Sequence, residues 1–578
     1  MNNQKIGNLL NLAMDATPGE RQRSLELDVG FERLTRRWDV VIRYSGDIDS
    51  LASEDILITK LLGNYAVVNL PQELLEEFSR QVQVEFVEKP KRLFFAAADG
   101  RAVSCINVVQ NQGWELFGEG VLVACVDSGI DYTHPDFRNE DGSSRILRLW
   151  DQTIPGNPPE GYRIGTEYTK EQIDQALRAS SRQERESIVP SRDTSGHGTA
   201  VMGIAAGSGR ESGGVYRGIA SKSPLLVVKL GVPDPDSFPR TTELMQGVDY
   251  AVRQAIRLGY PLALNLSFGN NYGSHSGRSL VEAYLDQAGG AGRTTICVGT
   301  GNEGSRAGHA AGVVTQEKEA RVEMSVGEYE PTVNVQIWKN YQDRMGILIG
   351  HPSGQYVGPI QPIQGTQRLT VRNTELLIYY GEPSPLSTSQ EIYVDFLPTG
   401  SYIDAGVWTF RLVPSGRIVT GDFDMWLPGG GVLGDATRFY RPTPDTTLTI
   451  PSTAHQALSV GAYDPRLQSY ADFSGRGFTR VIRQVKPELA APGVGIRTTR
   501  AGGGYQEVTG TSFATPFVTG AAALLMEWGM VRGNDPFLYG EKVKSYLING
   551  ARHLPTESEY PNPRLGYGVL CLRDSIPG

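Results

Sequence analysis

The sequence predicts an α/β fold: a parallel sheet with helices on both faces, preceded by a small α+β unit and interrupted by an antiparallel β-sandwich. Three observations predict it. Apolar runs such as residues 120–130 have the continuity of strands buried on both faces. Amphipathic stretches separate these runs, as in strand–helix–strand crossovers. Between residues 316 and 450 period-two patterning replaces this alternation.

Length and composition set the class of protein. The chain has 578 residues, of which 39% are hydrophobic and 21% charged, with a formal net charge of −9. These values are typical of a folded globular protein, and the length predicts roughly three to four domains. No long basic cluster and no run of about 18 apolar residues occurs, so we expect neither a nucleic-acid nor a membrane partner.

The N-terminus and the cysteines bear on localisation. The first 23 residues lack a basic stretch followed by a continuous apolar core, which predicts no signal peptide and synthesis in the cytoplasm. Cys105, Cys125, Cys297 and Cys571 lie far apart. We expect buried free thiols, with disulfides or a metal site as the alternatives. Together these features favour folding in a reducing compartment and leave export by another route open.

The first element is the small α+β unit of residues 39–95. The runs DVVIRY, NYAVVNLP and VQVEFVEKP predict strands, and PQELLEEFSRQ predicts an amphipathic helix. The stretch that follows, KRLFFAAADGR, has no regular pattern.

The parallel sheet is predicted from residue 120 onwards. GVLVACVDSGI, LLVVKLG, LALNLSFG and TTICVGTG predict strands, and residues 241–259 and 279–290 predict helices between them. Residues 152–192 are polar, and we interpret them as a surface excursion with one helix, TKEQIDQALRASSRQER.

The sandwich interrupts this sheet. RVEMSV, TVNVQIW, EIYVDFL and GVWTFRLVP place apolar residues at every second position, and Gly, Pro and Ser clusters separate them. The α/β pattern resumes at HQALSVGAYD and ends in a long helix at residues 513–529. The sandwich is therefore predicted to be an insertion.

Three side chains are predicted to form a nucleophilic site. Asp127 ends a buried strand in VDSGID, whereas His197 in SGHGTAVMG and Ser512 in GTSFATP stand at helix starts. A helix N-terminus offers free N–H groups to an oxyanion formed beside Ser512. Ser512 would attack a carbonyl, His197 would take its proton and Asp127 would orient the imidazole. Asn302 in GTGNEGS would donate to the oxyanion.

The order of these residues separates this site from other hydrolase folds. An α/β-hydrolase carries its serine first, in a G-x-S-x-G turn, whereas here the serine comes last. Each motif alone is a weak signal, and their joint occurrence decides. We interpret Gly196 and Gly198, which flank His197, as keeping the cleft open to a peptide backbone and the ring nitrogens free.

The motifs VDSGIDYTHPDF, SGHGTAVMGIAAG, NLSFG, GTGNEGS, APGVGI and GTSFATPFVTGAAALL closely resemble the subtilisin-like serine proteases, the subtilases. The resemblance covers about residues 97–315 and 451–578. It implies catalytic roles for Asp127, His197 and Ser512 and an oxyanion-hole role for Asn302. It further implies segments that line an extended peptide substrate by β-augmentation. Those residues are Ser267, Phe268, Gly269, Gly299, Thr300 and Gly301.

A narrower resemblance rests on LWDQTIPGNPPEGYRIGTEYTKEQIDQAL, the insertion and the ending NPRLGYGVLCL. These are similar to the Csp proteases of clostridial spore germination, of the CspB-like type. The resemblance implies a jelly-roll insertion at 316–450 and a prodomain at 1–96 that stays bound after its own removal. It also implies activation of a spore cortex-lytic enzyme precursor and a spore location. A general or nutritional clostridial subtilase, and a non-catalytic binding protein, are the alternatives.

The resemblance also bears on processing, metals and specificity. An apolar residue four places before the cut favours autoprocessing after Ala96 or Ala97 over processing after Phe95. The stretch AAGSGRESGGVYRGIA lacks the Asn ligands of the family's calcium loop, although Asp136 matches one ligand position, so we expect no metal or other cofactor there. Two roles are open for Glu303, which is next to Asn302. It would either favour basic substrate residues or be a solvated surface residue.

Overall fold

The structure is a computed structural model. It describes residues 4–23, 27–61, 63–90, 100–111, 113–231, 239–360, 362–363, 365–429 and 431–577. The chain divides into two compact units, Met1–Ala96 and Ala97–Gly578. The predicted autoprocessing residues Phe95, Ala96 and Ala97 lie outside the described residues.

The first unit is a five-stranded antiparallel sheet with short helices. Its elements are α1 (Asn8–Asp15), α2 (Pro18–Arg23), β1 (Phe31–Glu32), β2 (Arg37–Tyr44), β3 (Leu57–Lys60), β4 (Tyr65–Pro71), α3 (Leu75–Arg80) and β5 (Val84–Glu88), with 3-10 turns at Asp49–Leu51 and Gln72–Leu74. The strand order is β1-β2-β4-β3, and β5 pairs with the second half of β2 on the edge opposite β4. Trp38, Val40 and Ile42 of β2 alternate into a core with Leu75 and Phe78 of α3. The predicted strands and helix of this unit are confirmed.

The second unit begins with the first part of the parallel sheet. Its strands are β6 (Leu122–Asp127), β7 (Ile146–Asp151), β8 (Thr166–Thr169), β9 (Leu225–Lys229), β10 (Leu262–Leu266) and β11 (Thr294–Gly299). Its helices are α4 (Gly100–Val103), α5 (Ile106–Gln110), α6 (Lys170–Arg178), α7 (Arg182–Ile188), α8 (His197–Ala206), α9 (Thr241–Leu258) and α10 (Leu280–Gly289), with 3-10 turns at Pro135–Phe137 and Arg210–Ser212.

The surface excursion differs from its prediction. It holds strand β8 and two helices, α6 and α7, where the sequence predicted one helix. The chain is extended at Ala179, and the Ser181 hydroxyl accepts a hydrogen bond from Glu184 N–H to start α7. Serine favours such a capping position over a helix interior, which explains the break.

The insertion consists of two antiparallel sheets around one core. Its strands are β12 (His309–Val313), β13 (Ala320–Val326), β14 (Val333–Asn340), β15 (Met345–Gly350), β16 (Tyr356–Ile360), β17 (Gly365–Val371), β18 (Thr374–Tyr380), β19 (Ser389–Pro398), β20 (Gly406–Pro414), β21 (Asp422–Trp426) and β22 (Arg438–Phe439). The sheet orders are β12-β21-β14-β19-β18-β17 and β16-β15-β20-β13-β22. The jelly-roll topology stays a prediction. The sandwich starts before the predicted residue 316, because β12, which is rich in Ala and Gly and lacks a period-two signal, pairs with β21.

The sheet resumes after the insertion. The remaining elements are β23 (Leu458–Asp464), β24 (Ser469–Tyr470), β25 (Leu489–Pro492), β26 (Ile496–Thr499), β27 (Tyr505–Val508), α11 (Thr511–Met526), α12 (Glu541–Asn549) and α13 (Leu572–Ser575). A π-helical turn, Glu527–Val531, extends α11. The segment Thr511–Val531 has the length and composition to cross a membrane, but 83% of its apolar window is buried inside the protein, as in a core helix.

Both faces of the main sheet are covered. The sheet order is β24-β23-β11-β10-β6-β9-β7-β8, with β25 also paired to β23 and with β7–β8 and β23–β24 antiparallel. Val123 and Cys125 of β6 pack in one core with residues of α8 and α11. The alternate residues of β6 pack in a second core with α9 and α10. The predicted α/β fold with helices on both faces is confirmed.

The insertion is seated on the chain that follows β10. The Trp426 ring lies between two histidine rings, with its centroid 4.1 Å from that of His275 and 4.7 Å from that of His309, both nearly parallel. Gln336 of β14 donates to Asn271 O and accepts from Gly273 N–H. These contacts fix the sandwich beside the segment that the sequence assigns to substrate binding.

The cysteine prediction is half wrong. Cys125 and Cys297 are free and buried, as expected. Cys105 and Cys571 form a disulfide that joins the chain just before α5 to the residue that precedes α13. Because the two cysteines have a sequence separation of 466, no local spacing could reveal this pair, and the expectation of four free thiols does not hold.

Candidate active site

The centre of the site is a buried carboxylate paired with an imidazole. Strand β6 ends at Asp127, which is completely buried, and Asp127 Oδ1 lies 2.7 Å from His197 Nδ1. Because the carboxylate accepts this hydrogen bond, Nδ1 carries the proton and Nε2 is left as the base. The His197 side chain is 26% exposed, so it reaches the surface from a buried anchor.

Opposing influences set the pKa of His197. Burial is the largest influence and lowers the pKa, but the charge of Asp127, its hydrogen bond and the charge of Asp193 outweigh burial. The net pKa of His197 is raised above its ordinary value. The raised pKa makes His197 a stronger base once it is neutral.

A second carboxylate fixes the start of α8. Asp193 accepts hydrogen bonds from Ser128 Oγ at 2.8 Å, Gly196 N at 2.8 Å and both Thr199 N and Thr199 Oγ1. Ser128 Oγ in turn accepts from Gly198 N at 2.9 Å. Asp193 and Ser128 thus tie the loop after β6 to both sides of His197. Neither residue was predicted from the sequence, although an Asp shortly before a helix start is itself a capping signal.

The two glycines beside His197 are required by the local backbone conformation and packing. Gly196 has φ +75°, a left-handed conformation that favours glycine, and it precedes the first residue of α8. A Cβ on Gly198 would lie 2.2 Å from Gly129 O and 3.2 Å from Asp127 Cβ. The interpretation that Gly198 opens the cleft to substrate is wrong, because the close neighbour is the protein's own turn after β6.

Ser512 stands in the first turn of α11. Its N–H has no hydrogen-bond partner among the described residues, as expected for a helix N-terminus. Its hydroxyl donates to Ser267 O at 3.4 Å, and among the described residues no hydrogen bond joins it to His197. The ring of the next residue, Phe513, lies 5.3 Å from the His197 ring. The structure therefore brings Ser512 and His197 into one cleft without a direct bond between them.

Asn302 presents its amide nitrogen to the same cleft. Its Oδ1 accepts from Thr511 N at 3.1 Å and Thr511 Oγ1 at 3.2 Å. Both contacts hold the oxygen end. Nδ2 has no hydrogen-bond partner among the residues that the structure describes, and Asn302 is exposed. A Cβ built on Gly510 would lie 3.6 Å from Nδ2, which places this donor beside the start of α11.

The predicted substrate-lining segments follow neighbouring strands. Ser267, Phe268 and Gly269 follow β10, and Gly299, Thr300 and Gly301 end or follow β11, its parallel neighbour. The backbones of Phe268 and Gly269 have no hydrogen-bond partner in the part of the chain that the structure describes. That is the condition for adding a peptide strand. Thr300 differs, because its N–H donates to Val460 O and its C=O accepts from Thr449 N, so it does not pair with a peptide.

Comparison with known proteins gives the family. The chain matches the family model "Subtilase family" over residues 118–367 and 434–568, which is more than half of its length. The chain belongs to the subtilase family of serine proteases. Residues 4–91 of this subtilase match the Csp protease B prodomain.

Individual relatives agree with the family. The subtilase is similar to the solved structure of the Clostridium perfringens CspB protease, with 36% identity, a TM-score of 0.76 and coverage of 83% of this chain and 97% of that chain. It is 24% identical over 493 residues to the minor extracellular protease Vpr of Bacillus subtilis, covering 81% of this chain and 53% of Vpr. It is 22% identical to the PIII-type proteinase of Lactococcus lactis, covering 82% of this chain and 26% of that protein. The chain thus spans about half of the first relative and about a quarter of the second.

The residues around Asp136 do not fit a calcium site in this subtilase. The completely buried Asp136 carboxylate accepts from Glu211 N at 3.0 Å and Tyr505 OH at 2.9 Å. The buried Arg145 guanidinium donates to Asp136 O and Ala206 O. Each carboxylate oxygen therefore already accepts a protein hydrogen bond, and the buried charge of Arg145 interacts with the same carboxylate and disfavours a cation there. The described residues hold no cluster of three or more His, Cys, Asp or Glu suited to a metal.

Glu303 is buried next to the insertion. It is 7% exposed, and a Cβ on Gly429 would lie 3.0 Å from its carboxyl carbon. The alternative of a solvated surface glutamate is therefore wrong.

Proposed function

We propose that this subtilase is a serine endopeptidase with Ser512 as nucleophile, His197 as general base, Asp127 as the group that orients the imidazole and Asn302 as oxyanion donor. The observation that carries the proposal is the 2.7 Å contact between Asp127 Oδ1 and His197 Nδ1, in the cleft where α11 presents Ser512. Because Nδ1 donates to Asp127, Nε2 of His197 is the nitrogen that can accept a proton from Ser512.

The reaction follows from these positions. Ser512 Oγ bonds to the peptide carbonyl carbon as its proton moves to His197 Nε2, and the carbonyl electron pair moves onto oxygen. Asn302 Nδ2 and Ser512 N–H donate to that oxyanion. His197 then gives its proton to the amine nitrogen as the carbon–nitrogen bond breaks. A water molecule then attacks the acyl carbon in the same way, with His197 again as the base, and releases the carboxylic acid product and free Ser512. The Ser512 hydroxyl first rotates away from Ser267 O, in line with the loose catalytic hydrogen bonds of substrate-free enzymes.

The substrate class is an extended peptide or protein segment. The unpaired backbone groups of Phe268 and Gly269 support strand addition beside the cleft. The first such substrate is the chain itself, cut near Ala96 between the two compact units, with the fragment of residues 1–96 retained as a bound partner. The prodomain match over residues 4–91 supports this step.

In the cell, we propose that the enzyme activates the precursor of a spore cortex-lytic enzyme during germination, from a spore-associated location after synthesis in the cytoplasm. The similarity to the Clostridium perfringens CspB protease supports this proposal. No metal or other cofactor is required in it.

The chemical proposal is tested with Ser512→Ala and a matched control, Ser195→Ala. Ser195 is an exposed serine two residues before His197. Intact mass and peptide hydrolysis are measured on each purified chain. We expect the wild type and Ser195→Ala to separate into two fragments near residue 96 and to hydrolyse peptides, and Ser512→Ala to do neither. A Ser512→Ala chain that still divides there is cut by another protease, and the assignment of Ser512 then fails.

The biological proposal needs a separate measurement. Purified wild-type and Ser512→Ala enzymes are incubated with the cortex-lytic precursor, and spore extracts are probed for the protein. Cleavage by the wild type alone, together with presence in spores, supports the proposal. An enzyme that hydrolyses peptides but is absent from spores and leaves the precursor intact is a general subtilase.

A further inference from the structure

We infer that Thr449 closes the pocket for the substrate side chain that precedes the scissile bond, and restricts the protease to small residues such as Gly, Ala and Ser there. The inference rests on the proposed function, because it takes Ser512 as the attacking group. Thr449 lies between β22, the last strand of the insertion, and β23, where the main sheet resumes.

The geometry comes from two glycines on opposite sides of the same space. A Cβ on Gly269 would lie 2.5 Å from Thr449 Oγ1, and a Cβ on Gly301 would lie 2.3 Å from Thr449 Cγ2. Gly269 belongs to the segment after β10 and Gly301 to the segment after β11. The Thr449 side chain therefore fills the gap between the two segments, and it is 6% exposed.

The same gap lies beside the reacting groups. Gly301 directly precedes Asn302, the oxyanion donor, and Ser267 O, two residues before Gly269, contacts Ser512 Oγ. A peptide that adds a strand along Phe268 and Gly269 with its carbonyl at Ser512 projects the adjoining side chain either into this gap or towards solvent. Side chains of a strand alternate in direction, so of two successive residues one is directed at the gap. We take it to be the residue before the scissile bond, because that residue carries the carbonyl held between Ser512 and Asn302.

Thr449 has little freedom to move out of the way. Its N–H donates to Thr300 O at 2.9 Å. The next residue, Ile450, donates to Asn270 O at 2.7 Å and accepts from Asn270 N–H at 2.9 Å. The backbone is thus tied to both segments at once. A large substrate side chain meets a fixed wall, and close-packed protein interiors do not absorb extra groups without strain.

The processing region has the composition that such a pocket favours. The sequence there contains Phe94-Phe95 followed by Ala96-Ala97-Ala98. A pocket closed by Thr449 accepts alanine and rejects phenylalanine, so it favours cleavage after Ala96 or Ala97 over cleavage after Phe95.

The test uses matched peptides that differ only at the residue before the scissile bond, namely Ala, Ser, Leu and Phe. kcat/KM is measured for the full wild-type chain, Thr449→Gly and the control Thr446→Gly. Thr446 lies three residues upstream at φ +59°, where glycine is tolerated, and its side chain is not among the near neighbours of Gly269 or Gly301. We expect the wild type to favour Ala over Phe by about 100-fold or more, since a few methylene-sized groups are worth about 10–200-fold each. Thr449→Gly should reduce that ratio at least tenfold, and Thr446→Gly should leave it unchanged.

Each outcome decides something. A wild type that cleaves after Phe as well as after Ala, autoprocessing after Phe95, or an unchanged ratio in an active Thr449→Gly enzyme overturns the inference. If Thr449→Gly does not fold, Thr449→Ser, which lacks Cγ2, must shift the ratio in the same direction, and Thr449→Val, which keeps the volume, must not. A folded wild type that hydrolyses none of the peptides refutes the proposed function instead.

Discussion

Replacing Asp193 by Asn changes one atom in the network that holds His197. The carboxylate accepts four hydrogen bonds, two on each oxygen. The amide of Asp193→Asn keeps only one of the two acceptor oxygens. The NH₂ group that replaces the other oxygen faces hydrogen-bond donors and cannot accept from them. If the one remaining oxygen faces Thr199, the hydrogen bond from Gly196 N is lost and the Ser128 hydroxyl must turn away.

The size of the effect follows from these two bonds. Hydrogen bonds to a charged group contribute about 1.5–3 kcal/mol each, and the amide can recover part of this by donating to Ser128 Oγ, so we expect a loss of about 2–4 kcal/mol. At about 2.1 cal/mol/K per residue, a unit of about 480 residues loses about 1 °C of thermal midpoint per kcal/mol, which gives about 2–4 °C.

The pH profile provides the decisive readout. The charge of Asp193 helps to raise the pKa of His197, so its removal lowers that pKa. His197 must be neutral to accept a proton, and activity is lost as pH falls through its pKa. The acid limb of kcat/KM in Asp193→Asn should therefore move to lower pH. The control is Ser128→Ala, which breaks the contacts with Asp193 and Gly198 but leaves the charge in place.

Stability is measured in a Ser512→Ala background to keep the chain uncut, and kinetics are measured in the active enzyme. Ser128→Ala should lose stability and kcat without moving the acid limb. An acid limb that stays in place in Asp193→Asn, or that moves to higher pH, would falsify the electrostatic role of Asp193.

Three further predictions concern other parts of the molecule. Asn302→Ala should lower kcat about 10²–10³-fold with little change in KM, as for the equivalent donor in subtilisin, because its free Nδ2 meets the oxyanion only in the transition state; an unchanged kcat on a peptide amide removes it from the site. Cys571→Ala should lower the free energy of unfolding by about 2–5 kcal/mol in oxidising buffer and abolish the response of the thermal midpoint to reductant. A wild-type thermal midpoint that does not change with reductant contradicts the Cys105–Cys571 pair. Burial, with the charge of His309, lowers the pKa of His275 to about 4, so the unfolded chain binds a proton at this histidine at higher pH than the folded chain does. Lowering the pH from 6.5 to 5 should therefore reduce the free energy of unfolding by about 2 kcal/mol. In His275→Gln that part of the pH dependence of the thermal midpoint should disappear.

Local patterns in the sequence determined the strands, the helices and the identity of the four candidate catalytic groups. Strand β6 is apolar up to its last residue, Asp127, and the helical runs that follow His197 and Ser512 placed both at helix starts. Such features depend on periodicity and on neighbours within a few residues, which a single sequence displays. The insertion was visible for the same reason, as a change from one period to another.

Tertiary structure decided the features that need partners distant in the chain. Only the packing shows that Gly198 meets the turn at Gly129 and not a substrate, and that Cys105 and Cys571 are adjacent. The roles of Asp193 and Thr449 likewise depend on which atoms lie opposite their side chains. The physical reason is that a residue type constrains only its own backbone and its near neighbours in the chain. The space around a side chain depends on other segments, which can be hundreds of residues away in the sequence and come together only on folding.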